Sequence, residues 1–166
     1  MQTLFARRRT AIYRWLLRLV GNEATAEDLL SEVFLDVWRQ ASQFEGRSTV
    51  STWMLAMARY KALALRRRRT EDQLDEEVID AIEDDSDNPE QAAEKKDRSE
   101  ILRRCLGKLS ADHRQIVDLV YYHEKSVDEA AQILAIPENT VKTRLFHARK
   151  RLSALANEAG LDRSYL

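Results

Sequence analysis

The sequence predicts an all-α protein, and three observations predict it. Apolar residues recur at helical spacing, helix-capping residues stand where the periodic stretches begin, and glycine and proline are scarce, at four and two of 166 residues. A chain of this length holds one medium domain or two small helical ones. Its charge is segregated: residues 1–70 carry 13 Lys or Arg against 6 Asp or Glu, residues 71–97 carry 2 against 13, and residues 98–166 carry 12 against 9. A net charge of −1 therefore hides two basic blocks around an acidic one. The middle block reads as an acidic flexible linker, although Leu74, Val78, Ile79 and Ile82 allow a turn or two of amphipathic helix. It serves solubility, or it competes with nucleic acid for the basic faces.

The first helix is expected from Thr3 to Val20, with Leu4, Ile12, Leu16, Leu19 and Val20 apolar and a left-handed cap at Gly21-Asn22. The second runs from a capping Thr25 to about Gln43, with acidic residues in its first turn where they favour the helix dipole. Its buried stripe is Ala26, Leu29, Leu30, Val33 and Val37. On the other face Leu35 points into a group made of Asp28, Ser31, Glu32 and Arg39, with Trp38 at the edge. An apolar side chain ringed by charges suits a docking surface for a basic partner, although a singly exposed leucine is common.

A polar loop, Phe44 to Ser51, leads into a third helix from Thr52 to Arg69 that ends in four consecutive arginines. Part of that run complements the helix dipole. Trp53, Arg59, Tyr60 and Lys61 interleave aromatic rings with cations, which favours unpaired bases stacking on rings while the backbone is neutralised. Met54 and Met57 read as core, and Trp53 suits either role.

Ser126 to Leu152 reads as a short helix, a tight turn at Ala135-Ile136-Pro137 and a second, basic helix: a helix-turn-helix pattern. Ser126 and Glu129 form a capping box that leaves Ala130, Ala131, Ile133 and Leu134 to a core, and Pro137 falls in a first turn where proline is tolerated. At 100° per residue, Val141, Leu145, Ala148, Leu152 and Leu155 face inward. Asn139, Lys142, Thr143, Phe146, His147 and Lys150 face outward, with Arg144, Arg149 and Arg151 on the flanks. Such a face suits the major groove, where polar tips read base edges and flanking arginines hold phosphates. A solvated basic helix in an ordinary bundle is the bland alternative; the outward Phe146 and the capped helix before it favour DNA.

The lone Cys105 excludes an internal disulfide and a multi-cysteine metal site, and its apolar context suits a buried thiol. Three scattered histidines leave metal catalysis unsupported. No apolar run approaches a membrane span and no signal peptide opens the chain, so a cytoplasmic location is expected, with no membrane insertion. Neither a cofactor nor a small-molecule substrate is expected. No carboxylate cluster or activated nucleophile supports an enzyme acting on nucleic acid.

Four segments together resemble the extracytoplasmic-function sigma factors of bacterial RNA polymerase. They are Ala26-Glu-Asp-Leu-Leu-Ser-Glu-Val-Phe-Leu-Asp-Val-Trp38, Phe44-Glu-Gly followed by Ser51-Thr-Trp53, Leu109-Ser-Ala-Asp-His-Arg-Gln-Ile-Val117, and Ile136-Pro-Glu-Asn-Thr-Val-Lys-Thr-Arg-Leu145. The resemblance spans nearly the whole chain outside the acidic block. It implies two small helical domains: a region 2 domain at 1–70 and a region 4 helix-turn-helix domain at 98–160, joined by the linker at 71–97 and followed by a tail at 161–166. It further implies core-polymerase docking by Asp28, Glu32, Leu35, Asp36 and Arg39, and −10 contacts from Phe44, Arg47, Ser48, Ser51, Trp53, Arg59 and Lys61. Contacts to the −35 element would come from Asn139, Thr140, Lys142, Thr143, Arg144, Phe146, His147, Arg149 and Lys150. The implied partners are core RNA polymerase, promoter DNA and an anti-sigma protein, and the implied role is non-catalytic. Departures stand at Tyr60 and Ala64, where relatives commonly carry Asn and Asp, at Ala135 in place of a glycine, and at His147 in place of an arginine. The competing reading is a stand-alone helix-turn-helix regulator, which would usually dimerise to read paired half-sites.

Overall fold

The computed structural model describes residues 2–72 and 92–161. Among them every regular element is helical: α1 Gln2–Val20, α2 Glu23–Gln40, a 3₁₀ turn Ala41–Gln43, α3 Val50–Asp72, α4 Ala92–Gly107, α5 Ala111–Val117, a π-helical turn Asp118–Tyr122, α6 Val127–Leu134 and α7 Glu138–Glu158. They belong to two compact units, one built on α1, α2 and α3 and the other on α4, α5 and α7. Of the acidic block, residues 73–91 lie outside the described residues, and so do 162–166 of the tail.

In the first unit the core is one stripe from each helix. Ile12, Trp15, Leu16, Leu19 and Val20 of α1 meet Ala26, Leu29, Leu30, Val33, Phe34 and Val37 of α2 and Met54, Leu55, Ala58 and Ala62 of α3, all buried. Trp15 is the largest fully buried side chain, and its indole N–H donates to the Leu55 carbonyl at 3.2 Å. That bond satisfies the polar handle that makes a buried tryptophan costly. Met54 is core as expected, whereas Met57 is only half-buried.

Gly21 takes φ +66 and closes α1 with its N–H on the Leu17 carbonyl, as the left-handed cap requires. The cap of α2 differs from expectation. Asn22, not Thr25, is the N-cap: its side-chain oxygen accepts from the Thr25 N–H at 2.9 Å, and α2 begins at Glu23. The freed Thr25 hydroxyl accepts instead from Arg69 at 3.2 Å, tying the start of α2 to the arginine run of α3. Helix α2 also stops earlier, at Gln40, and tightens into the 3₁₀ turn. Thr49 caps α3 by accepting from the Thr52 N–H at 3.2 Å, so α3 starts two residues before the expected Thr52.

In the second unit Cys105, Leu109, Val117, Ala148, Leu152 and Leu155 form one cluster with Ile101 and Leu106 packed on it. Cys105 is buried and free of disulfide, as its context predicts. The capping box of α6 is present in full: Ser126 Oγ accepts from the Glu129 N–H at 3.1 Å, and the Glu129 carboxylate accepts from the Ser126 N–H at 3.0 Å. Ala130, Ala131, Ile133 and Leu134 are buried. Pro137 stands one place before the helical first turn, as the N-cap residue of α7.

Between α6 and α7 the Ile136 N–H reaches back to the Ala131 carbonyl at 3.2 Å, which places Ala135 in the left-handed region at φ +54. A Cβ there is strained, and because Ala135 is exposed its methyl group contributes little packing in return. Ala135→Gly is therefore expected to stabilise the fold around the α6–α7 turn by about 0.5–1 kcal/mol, the relieved strain less the added entropy of the unfolded chain. Thermal unfolding followed by far-UV circular dichroism measures it, and a lowered midpoint would contradict the assignment of strain.

Candidate functional site

Three surfaces gather the predicted residues, two on the first unit and one on the second. Committing one stripe of α2 to the core leaves Asp28, Ser31, Glu32, Leu35, Trp38 and Arg39 outside. Leu35 is 52% and Trp38 69% exposed, so the apolar centre of this face is in solvent. Asp36 is more recessed. Its carboxylate meets Lys61 Nζ at 2.6 Å and Arg39 at 3.7 Å, and Lys61 also reaches Glu32 at 3.3 Å. Burial alone would lower the Lys61 pKa; the hydrogen bonds it donates to Asp36 and then Glu32 outweigh it and hold the ammonium above its ordinary value. Lys61, expected on the −10 surface, is thus placed against the Asp36 and Glu32 carboxylates of the α2 face.

The second surface is a cleft of about 330 Å³ where α2, the 3₁₀ turn and the loop before α3 converge. Phe44, Arg47, Ser48 and Trp53 line it with Gln40, Gln43 and Glu45. The Phe44 and Trp53 rings lie 4.8 Å apart and tilted by 32°, and the exposed Arg47 pairs with Glu45 at 2.5 Å. Gly46 makes the reversal between them at φ +70, a conformation that costs a glycine little. Aromatic faces with amide edges close by suit one unstacked base. Gln40 and Gln43 were not singled out by sequence: they line the cleft only because α2 ends early and turns back. Ser51, Arg59 and Lys61 are not among the lining residues.

The third surface is the outer face of α7. Val141, Leu145, Ala148, Leu152 and Leu155 are buried as expected, while Asn139, Lys142, Thr143, Phe146, His147, Arg149, Lys150 and Arg151 are exposed and Thr140 is half-buried. Phe146 is 63% exposed, with its ring edge-to-face against His147. The Thr143 hydroxyl donates to the Asn139 carbonyl at 2.9 Å. Two of the flanking arginines have partners the sequence did not reveal: Arg144 meets Asp112 of α5 at 3.2 Å, and Arg149 donates to the Tyr121 hydroxyl.

Among the described residues no three His, Cys, Asp or Glu side chains are placed to hold a metal ion. Among them, too, no helix is long and apolar enough to cross a membrane.

Comparison with known proteins places both halves in one family. Residues 4–71 match the model of sigma-70 region 2, and residues 99–152 match that of sigma-70 region 4. The ECF RNA polymerase sigma factor SigW of Bacillus subtilis is 30% identical over 85% of this chain and 80% of its own length. The ECF RNA polymerase sigma factor SigL of Mycobacterium tuberculosis is 29% identical over 98% of this chain and 92% of its own. Among solved structures, the sigma factor RpoE of Bartonella quintana, in complex with the anti-sigma factor NepR, shares the fold with a TM-score of 0.72 at 22% identity, covering 94% of this chain and 96% of that one. CnrH, in complex with the cytosolic domain of CnrY, does so with a TM-score of 0.64 at 22% identity over 95% and 87%.

The Lys61 environment makes the first unit sensitive to alkali. A raised folded pKa means that its stabilisation is whole below the ordinary lysine value of 10.5 and is lost as pH rises through the folded value. Tyr13, pushed up first by burial and then by Glu23 and Glu27, loses stability in the same direction above 10.0. All three tryptophans, Trp15, Trp38 and Trp53, belong to this unit, so fluorescence reports on it selectively. The fluorescence-detected urea midpoint is expected to fall as pH rises above 10.0 and further above 10.5, and to fall less in Lys61→Met, which removes the Lys61 contribution. Equal alkaline losses in both proteins would remove Lys61 from the account.

Proposed function

We propose how this chain, which belongs to the extracytoplasmic-function sigma factors of RNA polymerase, divides promoter-specific initiation among its three surfaces. The α2 face docks on core polymerase through Leu35 and Trp38, with the Asp28, Glu32 and Asp36 carboxylates around them selecting a basic partner surface and Arg39 at its rim. The Phe44–Trp53 cleft captures an unstacked base of the −10 element. The outer face of α7 enters the major groove at the −35 element, where Lys142, Phe146, His147 and Lys150 meet base edges and phosphates. Residues 71–97 tether the two readers. The protein works in the cytoplasm as a specificity subunit without catalysis, cofactor or small-molecule substrate of its own.

One observation carries this reading: the exposed Leu35–Trp38 face and the aromatic cleft occur on the same three-helix unit, in a chain that also holds a helix-turn-helix with an exposed basic face on α7. A stand-alone operator-binding protein needs neither of the first two. Matches to both sigma regions likewise favour the sigma reading over a solitary regulator. Opening the duplex costs a few kcal/mol per step unstacked, which base capture and phosphate contacts offset. Each reader alone is weak; polymerase, by fixing their spacing, converts the second contact into an intramolecular one. An anti-sigma protein that covers the α2 face fits the same logic, since the relatives in the two solved structures are held by proteins of that kind or by a cytosolic partner domain.

Leu35→Asp together with Trp38→Ala is expected to weaken co-purification with core polymerase by on the order of tenfold or more, since central aromatic and aliphatic anchors dominate such interfaces. Undiminished association would end the docking assignment. Lys142→Ala with Thr143→Ala should lower transcription from −35-bearing promoters in a reconstituted reaction while sparing core binding. An unchanged promoter preference would take both residues out of the readout.

A further inference from the structure

The turn after α5 carries an irregularity with a consequence for α7. At Asp118–Tyr122 the helix widens to a π turn: the His123 N–H bonds the Asp118 carbonyl at 3.0 Å, and the Lys125 N–H bonds Leu119 at 2.9 Å. One residue more per turn rotates the downstream side chains by about 100° from the path of a continued α-helix. Leu119 stays in the core at 0% exposure, and Tyr121 emerges 54% exposed beside α7. There its hydroxyl accepts from Arg149 Nε, and its ring lies 5.5 Å from the guanidinium carbon.

The two flanking arginines of α7 stand on opposite sides of the buried stripe, Arg149 about 80° to one side of Val141 and Arg144 about 60° to the other. Each is met by a side chain from the α5 segment, but the partners differ in charge. Asp112 gives Arg144 a carboxylate at 3.2 Å, which compensates the guanidinium. Tyr121 gives Arg149 a hydroxyl and a ring face, which fix its orientation and leave its charge, and both terminal nitrogens, for another anion.

We propose that Tyr121 is a positioning residue for duplex recognition, holding Arg149 ready for a DNA phosphate, while Asp112 withdraws Arg144 from that duty. The proposal rests on the reading of α7 as the −35 helix and names the arginine that clamps the backbone at its edge. An arginine already fixed loses less side-chain freedom on binding, so the phosphate contact is gained at lower entropic cost.

The test titrates the full chain against a mixed-sequence duplex about two helical turns long, by fluorescence anisotropy from about 50 to 200 mM KCl. Arg149→Ala should reduce the slope of log K against log salt by about 0.9, one phosphate contact, whereas Arg144→Ala should leave the slope unchanged and Asp112→Asn should steepen it by about 0.9. Tyr121→Ala should weaken binding about fivefold, and Tyr121→Phe, which keeps the ring over the guanidinium, should fall between it and the parent chain. Combined with Arg149→Ala, Tyr121→Ala should add nothing, a coupling that a merely structural tyrosine would not produce. Additive losses, or equal slope changes from Arg144→Ala and Arg149→Ala, overturn the proposal while leaving the −35 reading intact. Failure of the unmodified chain to bind duplex even in the presence of core polymerase overturns both. Tyr121→Phe preserves the shape of the residue and serves where the alanine variant fails to fold.

Discussion

A helix in a small helical unit can bury only one stripe, and that limit shapes this protein more than any single contact. In α2 the stripe is Ala26, Leu29, Leu30, Val33 and Val37, closed against Trp15 and Leu55. Once those positions are committed, Leu35 and Trp38 have no interior left to occupy. Their exposure is a consequence of register, and a contiguous apolar centre rimmed by carboxylates is what the register leaves for a partner. The same division on α7 commits Val141, Leu145, Ala148, Leu152 and Leu155 and leaves Phe146 and His147 outside. The core thereby determines which residues are available for recognition.

Charge is then sorted on these outer faces by pairs that contribute little to stability. Exposed ion pairs such as Arg47–Glu45 contribute at most about 1 kcal/mol each, and many contribute nothing measurable. Their effect is positional. Lys61, drawn to Asp36 and Glu32, offsets part of the carboxylate charge on the α2 face. Arg69 on Thr25 fastens one end of the α3 arginine run, so its four cations are not equivalent. A count of basic residues along α3 or α7 therefore overstates the number available to phosphate.

What was legible in the sequence was local. The inward face of α7, the Ser126–Glu129 capping box, the Gly21 cap and the Leu35–Trp38 patch each arise from spacing within a few residues, and the helical period fixes such relations before any tertiary contact forms. Illegible features depended on partners far along the chain. Lys61 meets Glu32 from 29 residues away, and Arg149 meets Tyr121 from 28. The placement of Trp15 in the core rests on a carbonyl 40 residues on. Asn22 shows a different failure: read as the stop of α1, it is also the start of α2, because one side chain can cap a helix whose predecessor ended only two residues earlier. The π turn has no compositional signature, so the exposure of Tyr121 was invisible for want of its extra residue.

On the proposed assignment of the three surfaces, these placements explain why recognition is divided between units. A cleft that takes one base supplies too little to open a duplex whose unstacking costs a few kcal/mol per step, and one helix in one major groove gains too little to hold a site against bulk DNA. A stronger reader in either unit would bind promoter-like sequence without polymerase and compete with the enzyme it serves. Two weak readers avoid that outcome, because their contributions combine only when a third body fixes the distance between them. The exposed Leu35–Trp38 face is the part of the chain suited to enlist that body. Its apolar centre is costly to leave in water, and a partner that covers it removes that cost as it brings both readers to bear.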